Sequence, residues 1–347
     1  MKKFFLLILL SFTVLSCVSK KVVLENKPAS VSISQSDLIN KYLKTITANE
    51  LKTHLTIVAS DDMEGRETGS KGQQKAAQYL VKQYVDNKIS SPKGAVNYSQ
   101  KVPATFMNAK RNENLNDSEN IVAFTEGSEK ADEILVLSAH YDHIGIKKGK
   151  VYNGADDDGS GTVALLEIAQ AFQIAKNEGH PPKRSILFIH MTGEEHGLFG
   201  SDYYSKNPLF PLKNTITDIN IDMIGRRDQF HPDSNNYVYI IGSDYLSSDL
   251  YNITEATNKE FVHLDLDYKY NDKNDPERFY YRSDHYNFAK NGIPSVFLFN
   301  GTHDDYHQAS DEVDKIEFDA LEKRTKLAFA MAWELANRDN RPVVDKN

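Results

Sequence analysis

Ile134-Leu135-Val136-Leu137-Ser138-Ala139-His140-Tyr141-Asp142 is the stretch that decides the fold. Four apolar residues in a row, followed at once by polar ones, fit a short strand buried on both faces. The pattern returns in Ile186-Leu187-Phe188-Ile189, Ile219-Asn220-Ile221-Asp222 and Val296-Phe297-Leu298-Phe299, with a further strand over Tyr237 to Ile241. Helical spacing fills the gaps. Leu165, Ile168, Ala169 and Phe172 share one side of a helix starting near Gly159, and short helices fit about Leu198 to Tyr204 and Leu246 to Asn258. A closing helix carries Leu327, Met331 and Leu335. This alternation predicts an α/β fold: a single domain with a central mixed, largely parallel sheet flanked by helices.

Upstream, Thr47-x-x-Glu50 and Ser70-x-x-Gln73 read as capping boxes opening two helices, with Asp61 to Gly69 as a polar loop between them. Arg226 to Tyr281 is the least regular region, and its charged run Asn271 to Arg278 reads as a solvent-exposed loop near the strand ends. No internal repeat or low-complexity tract interrupts the pattern.

The composition sets outer limits. In 347 residues, 40% are hydrophobic, with 17 Phe and 18 Tyr, enough for a sizeable core. A net charge of -8 excludes nucleic acid as a partner, since nothing here would neutralise phosphates.

The N-terminus reads as a targeting segment. Lys2-Lys3 precedes the apolar stretch Phe4 to Leu15, which is too short for a stable membrane span, and Cys17 is the sole cysteine of the chain. This resembles a bacterial lipoprotein signal, although Leu15 is bulkier than usual at its position. The expected organisation is a signal peptide over 1–16, a polar tether over 17–34 and a catalytic domain over 35–340. An acylated Cys17 implies export in a bacterium and a partner in the lipid bilayer, with the outer membrane, facing the periplasm, as the expected location.

Four segments carry the chemistry. His140 and Asp142 follow one buried strand, Asp222 ends another, Glu194 and Glu195 lie just past a third, and Asp156-Asp157-Asp158 opens a helix. Open α/β sheets gather their ligands at the carboxyl ends of the strands, so these segments converge. Taken alone, the three aspartates would only cap a helix, and Glu194-Glu195 would be two acids pointing opposite ways along an extended segment. Together with His307 they make a metal-ligand set. Carboxylates of Asp157, Glu195 and Asp222 with neutral His140 and His307 nearly balance two divalent ions, and a carboxylate can bridge the pair where an imidazole cannot. Such a mixture suits zinc, with cobalt or manganese as substitutes.

The motifs resemble those of peptidase family twenty-eight, the di-zinc aminopeptidases related to bacterial leucyl aminopeptidase and glutamate carboxypeptidase. The similarity runs from about Ser60 through Asp311 and includes the Asp-x-x-x-Gly-Arg-type loop at Asp62 to Ser70. It implies the phosphorylase/hydrolase-like architecture of zinc exopeptidases and two Zn2+ per chain. By the resemblance, one zinc takes His140, Asp157 and Asp222, and the other takes Asp157, Glu195 and His307. Asp142 would hydrogen-bond His140, Glu194 would be the general base acting on a water shared by the metals, and Tyr280 would stabilise the oxyanion. The implied substrate is a peptide with a free N-terminus. A carboxypeptidase is not excluded by ligands alone. Glutaminyl cyclases of this fold typically show Ala-Asn-Asp where this chain has Ala155-Asp156-Asp157. A non-catalytic receptor is disfavoured, because no ligand position is lost.

Overall fold

The computed structural model describes residues 31–111 and 114–346. In chain order the elements are α1 (Ser36–Leu43), α2 (Ala48–Val58), α3 (Lys71–Asp86), β1 (Ser99–Val102), α4 (Ala104–Asn108), β2 (Ser118–Thr125), β3 (Lys130–His140), β4 (Gly145–Lys147), β5 (Lys150–Tyr152) and α5 (Gly161–Asn177). There follow β6 (Arg184–Met191), α6 (Phe199–Lys206), β7 (Thr215–Ile221), β8 (Tyr237–Ile241), α7 (Ser248–Thr257), β9 (Asp265–Asp267), α8 (His285–Ala289), β10 (Ser295–Phe299) and α9 (Phe318–Asn337).

Eight strands form one sheet in the order β1-β2-β6-β3-β7-β10-β8-β9. The inner four, β6-β3-β7-β10, are mutually parallel, while β1, β2 and β8 join antiparallel to their inner neighbours. The apolar runs of the inner strands serve both faces. Leu135, Leu137 and Ala139 pack into the core under α2, α5 and α9, whereas Ile134 and Val136 turn to a second cluster with Tyr204 of α6 and Phe288 of α8. Both expected N-caps form, with Thr47 and Ser70 accepting from the backbone N–H of Glu50 and Gln73, while the Glu50 and Gln73 side chains accept instead from the Thr47 hydroxyl and the Gly69 N–H.

Register places the site. His140 of β3 stands opposite Met191 of β6, and Ser138 opposite Asn220 of β7, so His140 and Asp222 end level. The strand order changes direction around β3, a switch point where the crevice beyond the carboxyl ends opens.

Two expectations need correction. Arg66, read as part of a polar loop, is fully buried, and its guanidinium donates to the carbonyls of Val58, Tyr141, Asn153 and Gly154. A buried guanidinium has five donors to satisfy, and here distant backbone segments supply the acceptors. Residues 31–34, assigned to the tether, are packed: Val31 and Ile33 lie against the core and Ser34 donates to Glu334. The signal peptide, Cys17 and the rest of the tether lie outside the described residues.

Candidate metal centre

The three consecutive aspartates have three different tasks. Asp158 accepts from the backbone N–H groups of His140, Gly161 and Met223, tying the ends of β3 and β7 to the start of α5. Asp156 accepts from Gly225 N–H and meets His303 Nε2 at 3.1 Å. Asp311 in turn accepts from the N–H groups of Asp156 and Asp157. Asp157 alone is left facing the crevice; its peptide bond to Asp158 is cis. Gly154, at φ 52°, lets this turn close, because a Cβ there would lie 2.5 Å from the His143 ring and closer still to the Asp157 carbonyl.

Asp157 stands between two groups of ligands. Its Oδ1 lies 3.3 Å from His140 Nε2, which is 3.5 Å from Asp222 Oδ1. Its Oδ2 lies 3.1 Å from His307 Nε2, which is 3.0 Å from Glu195 Oε2. All five side chains named from the sequence are therefore brought together. His140 Nδ1 donates to the backbone carbonyl of Asp142 at 3.0 Å, which turns the Nε2 lone pair toward the carboxylates. Asp222 is held by Ser283, which donates to its Oδ2, and Ser283 by Asn220.

Asp142 is not where it was expected to act. Its carboxylate stays 3.8 Å from His140 Nδ1 and instead accepts from the Thr68 hydroxyl and the Glu194 N–H. The reason is local: the chain bends after β3, bringing the Asp142 carbonyl to the ring first. Glu194 and Glu195 also sit in a turn rather than an extended segment, since Gly193 adopts φ 67° and the Glu194 carbonyl accepts from Gly197 and Leu198. The turn aims both acids into the crevice. Glu194 reaches to 3.9 Å of His140, and Glu195 contacts His307 and, at 2.6 Å, His143 Nδ1.

His143, one position after His140-x-Asp142, was expected from the sequence only as a core group or a support beside the ligands. It is fully buried beside Asp157 and the partly exposed Glu195, and these three can also be grouped around one ion, as can His140, Asp158 and Asp222. Asp158 is the weaker candidate, because its oxygens already take three backbone N–H groups.

Tyr280 does not line the cleft. Its ring packs with Tyr245, Tyr281, His285 and Tyr286, and against Gly242. The cleft is lined instead by Asp157, Glu194, Asp222 and His307, by Tyr306 and Arg282, and by the apolar walls Met223, Phe279, Phe297 and Phe299. Tyr306 stacks on His307 with ring centroids 3.9 Å apart, and Arg282 reaches its hydroxyl at 3.4 Å. Burial and then the nearby Asp157 and Glu194 charges raise the Tyr306 pKa, keeping its proton in place as a donor.

The electrostatics call for cations. Burial alone would push the Asp157 carboxyl up, yet the imidazoles of His140 and His307 hold it well below the usual range. Burial and the Asp157 charge oppose ionisation of Glu195, but His143 and His307 bring it down to about 2. His307, which burial would lower, is raised to about 10 by Asp157 and Glu195. Glu194 goes the other way: burial, then Asp222 and Glu195, raise it well above the ordinary value against the pull of His140. Glu195 Oε1 and His143 Nδ1 face each other at 2.6 Å, and Asp157 Oδ2 and His307 Nε2 at 3.1 Å, yet Asp157 Oδ2, Glu195 Oε1 and both His143 nitrogens are buried without a well-aligned hydrogen bond among the described residues. Unsatisfied carboxylate and imidazole atoms facing one another are the donor set a zinc ion takes.

The model of peptidase family M28 matches residues 120–332, most of the sheet together with every cleft acid and imidazole above. Leucine aminopeptidase 1 of Penicillium rubens is 28% identical over 215 residues, 60% of this chain; the match spans 54% of its own length, about half. The LapA aminopeptidase of Legionella pneumophila superposes with a TM-score of 0.69 at 23% identity, covering 91% of this chain and 79% of its own. A glutaminyl cyclase of Porphyromonas gingivalis has the same fold at a TM-score of 0.60 and 19% identity, covering 83% of this chain and 98% of its own. At such identities the superpositions speak for the fold, while the family match covers well over half of the sequence: the chain belongs to peptidase family M28.

Proposed function

We propose that the chain is a zinc-dependent aminopeptidase that releases single residues from the free N-terminus of peptides. The observation that carries this reading is the Asp157 carboxylate, with one oxygen toward His140 and Asp222 and the other toward His307 and Glu195, beside Glu194 on the cleft wall. His140, Asp157 and Asp222 would hold one zinc and Asp157, Glu195 and His307 the second, with His143 supporting Glu195. Bound zinc supplies Lewis acidity, acidifying a water and polarising a carbonyl.

The chain's own groups do the rest. Glu194, on the cleft wall 3.9 Å from His140, takes the proton from the attacking water and passes it to the departing amine. The Tyr306 hydroxyl donates to the carbonyl oxygen as charge grows on it, the part first assigned to Tyr280. Met223, Phe279, Phe297 and Phe299 take the side chain of the first residue, which favours apolar over charged ones.

A decapeptide beginning with leucine tests the reaction. Cleavage should shorten it from the N-terminus, stop on acetylation of the amine and continue on amidation of the C-terminus. Shortening of the acetylated peptide from its other end would make the protein a carboxypeptidase, and ammonia loss from an N-terminal glutamine without shortening would make it a cyclase.

We also propose that acylated Cys17 tethers the enzyme to the outer membrane, a reading supported by the Lys2-Lys3, Phe4 to Leu15 and Cys17 pattern. The protein should then partition into detergent. Recovery of wild type and Cys17→Ser alike in the soluble fraction would remove the anchor.

A further inference from the structure

Beyond the cleft lies a second cavity of about 630 Å³. Phe279, Arg282 and Tyr306 line both spaces, so a chain leaving the metal centre past Tyr306 enters it directly. The cavity is in the size range of pockets that hold small ligands, and its wall combines the loop that the sequence placed at the surface with Phe230, Lys269, Thr302 and His303.

Its charges are not equally available. Asp272 accepts from the Asn274 N–H, and Asp275 from the N–H groups of Glu277 and Phe279, so both carboxylates serve the turn. The Glu277 side chain is 61% exposed, and its carboxylate lies 3.9 Å from Arg282. Arg282 lies over the Phe279 ring at 4.6 Å, and its hydrogen bonds among the described residues are long, 3.5 Å to the Glu277 carbonyl and 3.4 Å to the Tyr306 hydroxyl. Lys269 lies over the Phe230 ring and has no ion-pair partner among the described residues. A neighbouring space that shares Gln229, Thr302 and His303 with this one holds Arg226, Arg227 and Lys315, but there Arg226 and Lys315 are both paired with Asp305, and Arg227 with Glu317. Arg282 and Lys269 are thus the charges that this space can offer a ligand.

We propose that this cavity receives the part of the peptide beyond the scissile bond and seats a carboxylate there between Arg282 and Lys269. The inference rests on the aminopeptidase reading and adds a substrate class to it: short peptides ending in a free carboxylate, or peptides with an acidic residue just past the cleavage point. A guanidinium is suited to the planar carboxylate, and an ammonium held over an aromatic ring adds a point charge.

The test compares kcat/KM for Leu-Ala-Ala against its C-terminal amide, and for Leu-Ala-Glu-amide against Leu-Ala-Gln-amide. The first pair reports a terminal carboxylate and the second a side-chain one. At least one anionic member should be favoured about tenfold, as expected for a charge-assisted contact. That ratio should fall toward one in Lys269→Gln and in Arg282→Gln, and persist in Lys273→Gln, which lies on the same loop outside the cavity. Ratios near one for both pairs in wild type, or a preference unchanged by both cavity substitutions, would overturn the proposal. Hydrolysis of leucine p-nitroanilide separates the two readings. If it is cleaved while the ratios stay at one, only this inference fails; if neither it nor any peptide is cleaved, the aminopeptidase reading falls and this inference with it.

Discussion

His140 Nδ1 lies 3.0 Å from the backbone carbonyl of Asp142 and 3.8 Å from its carboxylate. The imidazole is thus oriented by main chain, and the acid is free to hold the Glu194 N–H together with Thr68. Asp142→Ala should therefore keep its metal but lower kcat by about 10–100-fold, the usual scale for losing a group that supports a site. Asp142→Asn, which still offers an acceptor and can donate to Thr68, should recover most of the loss. Metal analysis beside kcat decides the matter. Loss of metal from the alanine variant would return Asp142 to the task of orienting His140.

Glu194 and Asp157 are separated by the same pair of measurements. Glu194→Gln should cut kcat by about 10²–10⁴-fold, the range of general-base catalysis, while about two zinc per chain remain. Asp157→Asn should lose both activity and metal, because one carboxylate serves both groups of ligands. A wild-type protein that is fully active with one tight zinc would end the two-metal reading. Activity of Glu194→Gln within tenfold of wild type would end the proton-transfer reading.

Tyr306 and Tyr280 make opposite predictions. Tyr306→Phe removes a hydroxyl that lines the cleft and should lower kcat by about 10²-fold with little change in KM. Tyr280→Phe removes a hydroxyl from an aromatic cluster and should stay within a few-fold of wild type. Steady-state kinetics with leucine p-nitroanilide checks both, and the reverse order would restore Tyr280 to the oxyanion.

What could be read from the chain follows from how each feature is encoded. The inner strands were legible because burial on both faces leaves continuous apolar runs, as in Ile134 to Leu137. The ligands were legible because they sit at the ends of those runs. Strand β1 covers only four residues at the sheet edge, too few for a periodic signal. Arg66 was hidden because its partners are four carbonyls on three segments, up to 88 residues away, which no side-chain pattern records. Tyr306 could have been found from its place beside His307, whereas Tyr280 was chosen for its nearness to Ser283-Asp284-His285. The structure divides those neighbours: Ser283 reaches Asp222, while Tyr280 packs against His285.

A final prediction concerns acid stability and a histidine outside the cleft. His190, fully buried in β6, shares one hydrogen bond with the Tyr84 hydroxyl at 2.7 Å, and its Nδ1 has none among the described residues. Burial lowers its pKa to about 3, so the native state keeps it neutral where an unfolded chain would protonate it. The unfolded state then binds the extra proton below the ordinary histidine pKa of ~6.5. Its contribution is therefore fully present above that pH and is lost progressively as the pH falls from there toward 3. Between pH 7.5 and pH 5 this one residue should cost about 2 kcal/mol. Urea unfolding of chelator-treated protein at the two pH values isolates the effect from metal release. His190→Gln should lose about 2 kcal/mol less than wild type over that interval, and equal losses in the two proteins would show that His190 does not set the acid limit.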